Sequence, residues 1–199
     1  MRIISRRCIS RLLLCAAILA LTPALGIAHE SPRGLDGVAS GFLHPVQGFD
    51  HLLAMLAVGI WGAQMGWRAI WTLPVVFPLI MAIGGVLGVT GVTLPQTELA
   101  IALSELVLGL AILCAWRAPV AAAAAIAGGF AIFHGHAHGL ELPEAANPAA
   151  YGFGFIAATG LIHVAGIGFG LIAMKSVQGW VARCSGGVIA LAGLYFLAV

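Results

Sequence analysis

His44-Pro45-Val46-Gln47-Gly48-Phe49-Asp50-His51 stands where a polar segment meets the first long apolar run of the mature chain. Pro45 has no backbone N–H and Gly48 relaxes the chain, so a helix breaks or begins within the stretch. Asp50 and His51 then enter the membrane on the first turn of the following helix. Ionisable groups at that depth are costly to bury and by default mark a functional site. The stretch therefore predicts a membrane helix that opens on a cluster of metal donors.

Outward from it, the composition agrees. The chain is 61% hydrophobic and only 8% charged, with a mean hydropathy of +1.07, whereas soluble domains carry about 25% charged residues. This is a chain built for lipid. Its net charge of +2 is no nucleic-acid signal, because Arg2, Arg6, Arg7 and Arg11 supply four of the nine basic residues. No basic face remains to hold a nucleic-acid backbone.

Those four arginines, the apolar Leu12 to Leu21 and the small-x-small Gly26-Ile27-Ala28 are the three parts of a secretory signal peptide over residues 1–28. An apolar stretch of about ten residues is too short to cross a hydrocarbon core of roughly 30 Å. Cleavage after Ala28 leaves a permease domain, 29–199, that begins at His29 with an α-amine and an imidazole on one residue. Cys8 and Cys15 depart with the signal peptide, and the spacing of Cys114 and Cys184 supports neither a disulfide framework nor a thiolate metal site.

Six apolar runs follow, at 49–65, 70–92, 98–115, 120–138, 150–174 and 180–198. Each approaches or exceeds the 17 or so residues a spanning helix needs. The fold class predicted is all-α: a polytopic membrane protein with six transmembrane helices, which two inverted repeats of three would describe. With the mature N-terminus outside, the loops after runs one, three and five hold Arg68, Arg117, Lys175 and Arg183. The outer loops hold Glu98, Glu141 and Glu144. This is the positive-inside pattern, and it predicts an inner-membrane protein with a periplasmic N-terminus. Glycine pairs such as Gly84 and Gly88, or Gly166 and Gly170, are read as packing.

A second motif, Phe133-His134-Gly135-His136-Ala137-His138-Gly139, supplies three imidazoles. His134 and His138 are four apart and share a helical face, while His136 points elsewhere unless the glycines unwind the helix end. Glu105 lies about 10 Å deeper than Glu98 on run three, and His163 lies near mid-membrane on run five. A descending series of metal donors results: His44, Asp50, His51, His134, His136 and His138, with His29, Glu105 and His163 as further steps for metal or protons. Imidazole with carboxylate suits Ni²⁺, Zn²⁺, Co²⁺ and Cu²⁺, and the scattered methionines disfavour Cu(I). Several partial sites suit an ion that must be released.

His44 to His51, extended through Leu52-Leu53-Ala54-Met55, resembles the H-P-x-x-G-x-D-H signature of the HupE/UreJ family, and Phe133 to Gly139 resembles its second histidine motif. The resemblance covers essentially the whole chain. It implies a nickel, or cobalt, permease serving hydrogenase or urease maturation, with His44, Asp50 and His51 as first-motif residues and His134, His136 and His138 as second-motif residues. Ni²⁺ or Co²⁺ is then cargo, with no tightly bound cofactor. A homo-oligomer and maturation proteins are the protein partners this reading allows.

The chain has no G-x-x-x-x-G-K-[ST] phosphate loop, so concentration or membrane potential is the expected driving force. Two other functions use the same histidines: an intramembrane metalloenzyme holding zinc or iron, and a metal sensor or delivery protein that does not transport. The absence of H-E-x-x-H and of a nucleophile elbow weighs against the enzyme.

Overall fold

The computed structural model describes residues 37–143 and 146–199, and among these it is all-helical, with no strand. The segments assigned to the signal peptide and to His29 lie outside the described residues. A short helix α1 (Gly37–Leu43) leads into a 3₁₀ turn (His44–Val46). Six long helices follow: α2 (Phe49–Met65), α3 (Trp67–Val89), α4 (Thr97–Leu113), α5 (Val120–Leu140), α6 (Pro148–Ala173) and α7 (Trp180–Phe196).

Pro45 and Gly48 act as the sequence predicts. Pro45 sits inside the 3₁₀ turn and Gly48 takes an extended conformation as the N-cap of α2. Between them the chain turns by 81°, so α1 and its turn lie across the start of α2. α6 begins on Asn147, whose side chain accepts hydrogen bonds from the backbone N–H groups of Ala149 and Ala150, with Pro148 at the first helical position.

The helices associate mainly in three pairs: α3 with α5, α4 with α7, and α2 with α6. Small residues make this possible, because lipid supplies no hydrophobic drive and only close backbone approach gives enough dispersion contact. A Cβ on Gly135 of α5 would fall 1.8 Å from the Met81 carbonyl oxygen of α3, and one on Gly166 of α6 would fall 2.5 Å from that of Leu56 in α2. Trp61, Phe77, Met55 and Leu73 fill the centre and are fully buried. Leu79, Ile83, Leu161, Val164 and Ile172 are exposed, as side chains that meet lipid would be.

One end of the bundle is tied by hydrogen bonds onto the last turn of α4. The Trp61 indole donates to the Trp116 carbonyl at 2.9 Å, the Gln64 amide to Ile112 at 3.1 Å, and Arg183 Nε to Leu113 at 2.8 Å. The Leu113 carbonyl is a helix C-terminal acceptor of the kind left without an intrahelical donor, while Ile112 also accepts from the Ala115 N–H and Trp116 lies just past the helix. Arg68, Arg117, Lys175 and Arg183 all fall at or beside helix termini on this end. The opposite end carries His44, Glu98 and Glu141.

The six apolar runs coincide with the six long helices, most closely at 49–65. α3 starts earlier than the predicted 70, at Trp67, since the stem of Arg68 can lie along an apolar surface while its head reaches water. Among the described residues, α3, α5 and α6 are each long and apolar enough to cross a membrane, α7 is a fourth when taken together with the 3₁₀ turn Val177–Gly179 before it, and the bent α1–α2 pair gives a fifth if it is one span. α4 has 17 residues, about 25 Å of helix, which is short of a hydrocarbon core of roughly 30 Å.

Candidate metal site

Three elements converge at the acidic end. The 3₁₀ turn projects His44, the last turn of α5 projects His138, and Glu141 caps that helix. His44 Nε2 lies 2.9 Å from His138 Nδ1 and 2.8 Å from Glu141 Oε2, and His138 Nδ1 lies 3.3 Å from the same oxygen. Among the described residues these three form the one group of at least three donors near enough to hold a common ion. Donors about 2.1 Å from a shared metal are about 3.0 Å apart at octahedral angles and about 3.4 Å apart at tetrahedral ones. The observed triangle has that size. Hydrogen bonds from His138 and His44 hold the Glu141 carboxyl well below the ordinary carboxylate range, so it presents a full negative charge at neutral pH.

From the triangle a file of rings runs into the bundle. His138 is 4.2 Å from His51, ring centre to ring centre, and His51 is 4.9 Å from His134. Phe77 follows at 5.6 Å from His134, and His163 at 5.3 Å from Phe77. His134 and His163 are fully buried.

The hydrogen-bond partners decide which nitrogens carry protons. Asp50 Oδ1 lies 2.8 Å from both the backbone nitrogen and Nδ1 of His51. A carboxylate only accepts, so His51 donates from Nδ1 and its buried Nε2 is left with a lone pair and no partner. On α4, Ser104 spends its hydroxyl proton on the Ile101 carbonyl at 2.6 Å. His134 Nε2, at 2.9 Å, must therefore donate to Ser104, and His134 Nδ1 is the second buried lone pair without a partner. An imidazole oriented through its far nitrogen by a carboxylate or hydroxyl is the usual arrangement of a metal-binding histidine.

The structure thus brings together His44, Asp50, His51, His134 and His138, with Asp50 against His51 as an orienting partner. His136 stands apart. α5 stays helical to Leu140, so the glycines do not unwind it, and the His136 ring faces the loop before α4, 2.7 Å from the Val92 carbonyl and 3.3 Å from Thr97 Oγ1. Glu105 is buried beside Ser104 with both carboxyl oxygens unpartnered, and His163 lies beyond Phe77. Sequence reasoning passed over Glu141 and Ser104. The spacing His138-x-x-Glu141, i and i+3 on one helical face, is the signal that identifies the first. Ser104 has no comparable signal.

The sequence model of a family described as "HupE / UreJ protein" matches residues 16–196. Protein HupE of Rhizobium leguminosarum bv. viciae is 44% identical over 188 residues, spanning 94% of this chain and 97% of that protein. No solved structure matches the chain.

Proposed function

The chain belongs to the HupE/UreJ family, and on that premise we propose that it is a secondary permease that carries Ni²⁺, or Co²⁺, from the periplasm to the cytoplasm for hydrogenase or urease maturation. The observation that carries this reading is the file itself. A three-donor triangle at the acidic end is continued inward by two buried imidazole nitrogens that are free of protons and of partners. The ion is cargo: His44, His138 and Glu141 receive it, and His51 and His134 pass it on. Asp50 holds His51 in the binding tautomer, and Glu105 offers a buried, unpartnered carboxyl midway.

A triangle at the acidic end continued inward by further donors favours passage, whereas catalysis gathers its ligands around one activated water and needs no such continuation. All six long helices cross the inner membrane in this reading, the 17-residue α2, α4 and α7 included, since a bilayer thins around a short span at modest cost. The end with Arg68, Arg117, Lys175 and Arg183 faces the cytoplasm. Exchanging the first three long helices for the last three preserves the three packed pairs, which supports a 3+3 inverted repeat.

Uptake of ⁶³Ni²⁺ into proteoliposomes tests the proposal. The wild-type chain should accumulate the ion, and His51→Ala and His138→Ala should each cut the initial rate at least tenfold. Uptake equal to that of empty vesicles, or unaffected by both substitutions, refutes it.

A further inference from the structure

α6 carries a second ladder that the outer donors leave unused. Tyr151, Phe155, Thr159 and His163 follow one another at four-residue spacing, share a helical face, and are all buried. Phe155 packs on His138 and His163 meets the edge of Phe77, so this face leads from the triangle to the far side of Phe77. Thr159 and His163 have no accessible surface, yet Thr159 Oγ1 and both His163 nitrogens lack hydrogen-bond partners. Each such group costs about 1–3 kcal/mol.

The opposing helix contributes a matching acceptor. α3 contains Pro74 and Pro78. Pro78 has no N–H to donate to the carbonyl four residues before it, which is that of Pro74. This carbonyl is close enough to the His163 ring to interact with it, although neither ring nitrogen makes a hydrogen bond of good geometry. Pro74 is about 10 Å along α3 from Trp67 and His163 about 15 Å along α6 from Ala173, so both belong to the basic half of the bundle.

We propose that the Thr159 hydroxyl, the His163 imidazole and the Pro74 carbonyl form an inner cation site, the last stop of the divalent ion before release. The proposal rests on the permease reading and extends it past Phe77. All three donors are neutral, whereas the outer triangle carries the charge of Glu141. An inner site that holds the ion more weakly than the outer one lets it leave, as conduction through successive sites requires. Pro78 has a definite task here: it keeps the Pro74 carbonyl out of the helix ladder.

Two substitutions test this in the full-length chain. Thr159→Val keeps the shape and removes an unpartnered buried hydroxyl, so thermal stability in detergent should hold or rise. Pro78→Ala returns an N–H to the Pro74 carbonyl and leaves Thr159 and His163 in place. By equilibrium dialysis with Ni²⁺ alone, each variant should bind one equivalent fewer than wild type at a concentration that saturates wild type, and should take up ⁶³Ni²⁺ about tenfold more slowly. A purely structural role for Thr159 would move stability and uptake in the same direction. Unchanged stoichiometry in both variants overturns the inner site. Wild-type binding without wild-type uptake instead overturns the permease reading, and the stoichiometry of the variants then still decides the site.

Discussion

Glu141→Gln is the sharpest perturbation of the outer triangle. It keeps the side chain's shape and one oxygen within reach of His44 and His138, and removes only the charge. A dication and a carboxylate oxygen about 2.1 Å apart attract by about 4 kcal/mol even at the dielectric constant of water. That screened limit is the appropriate one, because the Glu141 side chain is 55% exposed. The amide oxygen and a water recover part of the loss, which leaves a net cost of about 1.4–2.7 kcal/mol, or ten- to a hundredfold in Kd. Isothermal titration of the purified chain with Ni²⁺ measures it directly. Glu98→Gln is the control: Glu98 is an exposed acid on the same end, outside the triangle, and its removal should leave Kd unchanged. A Glu141→Gln protein that binds Ni²⁺ within twofold of wild type would mean that the triangle is a hydrogen-bonded helix cap and not a ligand set.

Asp50→Asn should weaken Ni²⁺ binding ten- to a hundredfold by loosening the tautomer of His51, as loss of an orienting partner does at other metal-binding histidines; a titration showing no change would remove Asp50 from the site. His136→Leu should leave Ni²⁺ affinity intact while lowering stability by about 1–3 kcal/mol, because the Val92 carbonyl loses its side-chain donor; thermal melts beside binding isotherms separate the two effects. Gly135→Ala should sharply reduce the folded yield, since its Cβ would collide with the Met81 carbonyl, whereas Gly129→Ala, with nothing within 4 Å, should be silent in the same size-exclusion assay.

The helices were legible because apolar runs and their punctuation survive any packing arrangement: Gly66, Pro119 and Pro148 each stand at a helix boundary. Span number was less legible, because a 17-residue helix and a bent pair sit at the threshold that separates crossing from not crossing. The histidines of the site were visible as rare ionisable groups in apolar surroundings. Glu141 was not, since an acid just past a helix end looks like any solvated loop residue until His44 arrives from nearly a hundred positions away. Ser104 and Thr159 are invisible for a related reason. A hydroxyl is common in membrane helices, and only the partner it has or lacks gives it meaning.

The hydrogen bonds from His51 to Asp50 and from His134 to Ser104 bear on energetics as well as geometry. Both rings already keep their protons on the far nitrogen, so in the permease reading an arriving Ni²⁺ would eject none from them and would travel with its whole double charge. Such movement would be electrogenic. Each 100 mV of negative interior contributes about 4.6 kcal/mol per ion, enough to concentrate the metal roughly a thousandfold with no countertransported proton at these two rings.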